Sequence, residues 1–167
     1  HVSDKKAEPS QLRGKVEVAI FSSNLSELKR LVKLGADLNA LSKDGISPLS
    51  SAAFHGRLEH VRFLLQKGAV STARNRDGGT PLHVAALMGR FEIAKLLLSN
   101  GINANARNKK GESSIDVVSG KWSDGVAGFY RFLNGLTSNK VDLQEIRKAR
   151  PRMLKLLQEV SKVKLPR

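Results

Sequence analysis

The chain has 167 residues, 40% of them apolar, enough for one folded unit with a real core and too few for two large ones. It carries no cysteine and no run of 18 apolar residues, which excludes disulfides, thiol catalysis, the best ligands for structural zinc and a membrane-spanning helix. The formal charge is +14, unevenly spread: nine basic residues against three acidic over 140–167, nine against four over 44–109, and equal numbers over 110–139.

Residues 1–10 (HVSDKKAEPS) are polar and read as a disordered N-terminal segment. The sequence starts at His1 rather than Met, which points to a trimmed N-terminus and leaves the compartment open: a soluble chain, either cytoplasmic or exported after removal of an N-terminal signal. From Gln11 the chain repeats itself. DGISPLSSAAFHGRLEHVRFLLQKGA begins at Asp44 and DGGTPLHVAALMGRFEIAKLLLSNGI begins at Asp77, 33 residues later. Carried backwards, the register sets Ala19 and Phe21 opposite Ala52 and Phe54, and Leu31 and Val32 opposite Leu64 and Leu65, so residues 11–43 form a first, degenerate copy.

Each copy predicts helix, turn, helix and a polar loop. Ser47 and Thr80 supply an N-cap hydroxyl, and Pro48 and Pro81 take the first helical position, where a missing N–H costs nothing. The alanine pairs at 52, 53, 85 and 86 allow neighbouring helices to approach closely. Gly56 and Gly89 permit a sharp turn into a second helix, which stops at Gly68 or Gly101. A fourth copy starts, with Gly111, Ser113, Ile115, Asp116 and Val117 opposite Gly78, Thr80, Leu82, His83 and Val84, but the register dissolves after Val118.

TPLHVAA at Thr80 to Ala86, the 33-residue period and the loops ALSKDG, ARNRDG and ARNKKG together resemble the ankyrin repeat family. The resemblance covers residues 11–118 well and 119–136 loosely. It implies an all-α solenoid of stacked antiparallel helix pairs whose loops project as short β-hairpin fingers. About four repeats then occupy 11–136, the first and last degenerate. Where the family carries Asp in the finger, this sequence has Ser42, Asn75 and Asn108, which can still make side-chain turn bonds. The TPLH match also implies a structural role for Thr80 and His83. The imidazole meets the Thr80 hydroxyl with one nitrogen and backbone of an adjacent finger with the other.

Beyond the repeats, KWSDGVAGFYRFLNGL holds Trp122, Phe129, Tyr130 and Phe132, which read as core of an altered helix pair. Residues 137–167 read as a helical C-terminal cap with a basic tail. Asp142 and Glu145 resemble a capping box, Pro151 is expected to break or restart the helix, and Met153, Leu154, Leu157 and Val160 form an apolar stripe. Such a cap covers the apolar end that stacked repeats expose. The arrangement is similar to bacterial ankyrin proteins.

Nothing in the sequence reads as an active site. His55 and His60 fall on different helices across the Gly56 turn, no G-x-S-x-G elbow or Walker loop occurs, and no nucleophile lies beside a base. No cofactor, metal site or catalytic residue is expected, and the chain reads as a non-enzyme. In the ankyrin family the recognition surface is the concave face of fingertips and first helices. Mapped onto this chain, that surface takes Lys43, Asp44, Ile46, Phe54 and His55, then Arg74, Arg76, Asp77, Leu87 and Met88, then Arg107, Lys109 and Lys110.

Basic tips flanking an apolar strip suit a protein partner with acidic and apolar features. The expected function is therefore a non-catalytic protein-interaction module, acting as a monomer. The alternative is an electrostatic binder of nucleic acid or an anionic surface through the basic faces. Nucleic acid is the weaker partner, because no aromatic side chains interleave the C-terminal cations to stack on bases.

Overall fold

Two rows of helices, one inner and one outer, organise the chain. A computed structural model describes residues 8–136 and 141–162; of the segment 1–10 expected to be disordered, residues 1–7 lie outside the described residues and Pro9 and Ser10 instead open the first helix, while the basic tail beyond Lys162 also lies outside them. The helices are α1 (Pro9–Phe21), α2 (Leu25–Lys33), α3 (Pro48–Phe54), α4 (Leu58–Gln66), α5 (Pro81–Leu87), α6 (Phe91–Ser99), α7 (Ser114–Ser119), α8 (Asp124–Leu136) and α9 (Leu143–Lys162). The inner row runs α1, α3, α5, α7 and the outer row α2, α4, α6, α9, with each inner helix packed on its outer neighbour.

The short first helices start where their caps dictate. Ser47 Oγ accepts from the Ser50 N–H, and Thr80 Oγ1 accepts from the His83 N–H. Ala52, Ala53, Ala85 and Ala86 are fully buried between α3, α5 and their neighbours, as close approach requires. The turn into the second helix needs a left-handed residue, and Gly56 (φ 68°) and Gly89 (φ 65°) provide it. In the degenerate first copy the same position is Ser23, at φ 58°.

The fingers are tight hairpin turns, and no strand forms among the described residues. Ser42, Asn75 and Asn108 each donate their N–H to the residue four on, closing the three turns at 2.8, 2.9 and 2.9 Å. Ser42 Oγ and Asn108 Oδ1 add side-chain turn bonds, to the N–H groups of Ile46 and Glu112 respectively, whereas Asn75 Oδ1 reaches back to the Ser47 N–H. Neighbouring fingers are tied by main chain: Arg76 N–H to the Gly45 carbonyl and Lys109 N–H to the Asp77 carbonyl.

The fourth copy departs from the pattern. Its first helix, α7, packs on α5, but the outer position beside α6 is filled by α9. Helix α8 is an additional element between α7 and α9 in chain order. Asp142 caps α9 through Oδ1, taking the Gln144 and Glu145 N–H groups, while the Glu145 carboxylate turns to Lys148 and no reciprocal capping bond forms among the described residues. Pro151 does not break the helix as expected: α9 is continuous through it. Pro151 and Arg147 are both exposed, so the carbonyl left without a donor at the preceding turn faces water. Ile146, Met153 and Leu157 are buried on the opposite side and hold both halves of α9 to the stack.

Candidate functional site

The concave side divides into two unequal clefts. The larger, about 610 Å³, lies between α1 and the first finger and is lined by Val18, Phe21, Ile46 and His55 with Arg13 and Lys43. The smaller, about 340 Å³, lies between the second and third fingers and is lined by Asp77, Val84, Leu87, Lys110 and Phe129, with His83 at its floor.

Lys43, Asp44 and Ile46 sit together on the first finger at the rim of the larger cleft, all exposed. His55 lies inside it between two rings, in edge-to-face contact with Phe21 (5.4 Å) and Phe54 (5.1 Å). Burial holds the His55 imidazole below its ordinary range, and the neighbouring Arg57 and Arg90 guanidinium groups push the same way. Those two arginines recur at the repeat period and bind the preceding inner helix. Arg57 donates to the carbonyls of Ile20 and Phe21 (3.3 and 2.8 Å), and Arg90 donates to that of Phe54 (3.3 Å). They place cations at helix C-termini, where the backbone dipole favours them.

The fingertip cations fall into two groups. Arg74, Arg76 and Arg107 are exposed yet engaged. Arg74 Nη1 bridges the Gly78 and Arg107 carbonyls at 2.8 and 2.7 Å, and Arg76 Nη2 donates to the Lys43 carbonyl at 2.7 Å. Arg107 Nη1 donates to the Gly111 carbonyl and pairs with Asp116. Arg74 and Arg76 thus clamp finger to finger, while Arg107 ties the third finger to α7 behind it. Lys43, Lys109 and Lys110 project from the same tips, exposed and without an ion pair among the described residues. Asp77 spends one oxygen on its own turn, Oδ1 accepting the Gly79 N–H.

The apolar strip differs from expectation. Met88 is 2% exposed, so it is not available as a surface contact. It is covered by α8, whose Tyr130 is fully buried and donates its hydroxyl to the Leu87 carbonyl. Leu87 and Phe54 are half-buried against the same small core, with Trp122, Val126 and Leu133. Trp122 stacks on Tyr130 at 5.7 Å. The added helix thus covers apolar surface of the third copy that the repeat alone would leave open.

Two of the aromatics expected in the core are on the outside of that helix. Phe129 and Phe132, 62% exposed, lie one turn apart, while Val126, Tyr130 and Leu133 face inward. This inside-outside split follows the helical period and was readable from spacing. Val18, Phe21 and Arg13 escaped the sequence reading of the site because the first copy lacks the TPLH signature. Their signal was positional: Phe21 stands in register with Phe54.

Thr80 and His83 are where the repeat signature puts them. His83 Nδ1 accepts from the Thr80 N–H at 3.1 Å, which assigns the ring proton to Nε2, and Nε2 donates to the Glu112 carbonyl at 2.9 Å. Ser113 and Asp116 repeat the capping half of this arrangement, with the carboxylate held below its usual range chiefly by the Ser113 N–H. Among the described residues no group of three or more His, Asp or Glu is placed to hold a metal ion, and no helix is long and apolar enough to cross a membrane.

A family model for ankyrin repeats, in three copies, matches residues 16–108. No curated protein matches the chain.

Proposed function

The chain belongs to the ankyrin repeat family, whose members are generally protein-interaction modules, and from that premise we propose that it is a non-catalytic, monomeric binding module whose partner docks in the larger concave cleft. One observation carries this reading. Val18, 66% exposed, Phe21 and Ile46 are large apolar side chains left open to water around the rim of one cleft. Clustered exposure of that kind marks contact surfaces on folded proteins. Arg13 and Lys43 border the cleft, and Lys109 and Lys110 continue the cationic row along the fingertips. A partner segment with apolar side chains for the cleft and carboxylates for the rim fits this surface.

The mechanism is passive. The cleft walls are set by caps, buried alanines and arginine ties, so binding orders little of this chain and the association cost falls mainly on the partner. Helix α8 bounds the surface on the other side, which narrows the expected site to Arg13, Val18, Phe21, Lys43, Ile46 and His55.

Capture of interacting proteins from extracts at rising salt tests the reading. Bound proteins persist at moderate salt with the native chain and are lost with Val18→Asp or Ile46→Asp, exposed positions whose replacement leaves the fold intact. Uniform capture of polyanions with a steep salt slope, unaffected by these substitutions, contradicts it and favours the electrostatic alternative.

A further inference from the structure

The C-terminal cap holds a buried charge that meets no counter-charge among the described residues. Arg150 on α9 is 7% exposed, yet no carboxylate pairs with it among the described residues. Its Nη2 donates to the Gly120 carbonyl at 3.0 Å, and the guanidinium stands 5.9 Å from the Trp122 ring centroid. The neutral carbonyl and the ring satisfy some of its five N–H donors without neutralising the charge. Buried cations are ordinarily paired, because desolvation is costly otherwise.

A second cation stands beside it. Arg147 precedes Arg150 by three residues and so shares its face of α9, where like charges repel. Arg147 also has no ion pair among the described residues, whereas Lys148 is matched by Glu145 and Arg152 by Glu92. Arg147 and Arg150 both line an open cleft of about 300 Å³ with Trp122, Val118, Leu154, Ser119 and Gly120. That volume is at the lower end of small-molecule pockets, with apolar walls and convergent polar groups as such sites require. It shares no residue with either concave cleft.

We propose that this cleft binds a small oxyanion, a carboxylate or a phosphate monoester, held between Arg147 and Arg150 beside Trp122. The planar guanidinium donors suit two oxygens of one anionic group. Binding supplies the missing counter-charge and relieves the repulsion across one helical turn. The site does not depend on where a protein partner docks.

Trp122 is the only tryptophan in the chain, so its emission reports on this cleft. Sodium phosphate, and separately sodium acetate, replaces sodium chloride at constant ionic strength while the emission of the whole chain is followed. The native protein shows a saturable change with at least one anion: phosphate alone identifies a phosphate ligand, acetate alone a carboxylate. Arg147→Gln, at an exposed position, raises the half-saturation concentration by about tenfold or more, as expected for loss of one charge-assisted hydrogen bond. Lys155→Gln, on the same helix outside the cleft, titrates like the native chain. A flat titration with both anions, an unchanged response in Arg147→Gln, or an equal loss in Lys155→Gln overturns the proposal.

Discussion

His83 and Glu112 join the second finger unit to the third: the imidazole Nε2 donates to the Glu112 carbonyl oxygen at 2.9 Å while Nδ1 accepts from the Thr80 N–H. One side chain therefore caps α5 and spans to the next repeat. Replacement by alanine leaves the buried Thr80 N–H without its acceptor and takes one of two donors from the Glu112 carbonyl, which keeps the Asn108 N–H, and is expected to cost about 1–3 kcal/mol. His83→Asn retains an acceptor for the Thr80 N–H but is too short for the finger, and is expected to lose about half as much. Urea unfolding of the two variants beside the native chain checks the split; equal losses would mean that the cap on the Thr80 N–H contributes nothing and that the bond to Glu112 carries the whole effect.

Ser23 holds the left-handed conformation that Gly56 and Gly89 hold in the next two copies. For a residue with a Cβ this geometry is strained by about 1–2 kcal/mol, against roughly 0.5–1 kcal/mol of extra chain entropy for glycine. Ser23→Gly is expected to raise the melting temperature slightly, a net gain of about 0.5–1 kcal/mol. Gly56→Ser is expected to lower it, because φ 68° strains a residue with a Cβ and that Cβ pushes the Arg90 guanidinium away from the Phe54 carbonyl.

Acid weakens the stack through its buried histidines. His55 and His60 are both held below the ordinary imidazole value of 6.5, chiefly by burial, with Arg57 adding at each and Arg90 at His55. At His60, the neighbouring main chain of Ala19 and Asn24 opposes the shift in part, and Nε2 is buried without a partner among the described residues. A lowered folded value means that the unfolded chain takes up protons first as the pH drops below 6.5, so stability is full above that value and declines beneath it until the folded values are passed. The urea midpoint is expected to fall between about pH 7 and 5.5, and less so in His55→Gln/His60→Gln. Asp116 acts in another window: its contribution is present above 3.8 and is lost only as the pH falls through its lowered folded value.

The repeat was legible because its signals are local and recur. Thr80 before Pro81, the alanine pairs, and Gly56 and Gly89 each fix one step of backbone geometry, and their spacing fixed the stacking. What the sequence hid was long-range. Arg57 and Arg90 look like ordinary surface cations until their contacts with carbonyls 36 residues away are seen. Met88 looks exposed because the repeat demands no apolar residue there, and only long-range packing covers it, by α8, inserted where the register has dissolved, together with Val141 and Ile146. Pro151 likewise reads locally as a break, but inside α9 the local rule for proline yields to burial of Ile146, Met153 and Leu157 on the far side. Fold was readable at the level of repeats, and the site only at the level of the face they share.

Photocrosslinking from single positions tests the central claim most directly. A photoreactive side chain is placed at Ile46 on the rim of the larger cleft or, as a control, at Arg62 on the exposed face of α4 in the outer row. The account predicts a discrete crosslinked partner from position 46, competed away by unlabelled native chain and not by the Val18→Asp variant, and none from position 62. Equal crosslinking from both positions, or a partner captured only from position 62, would contradict it.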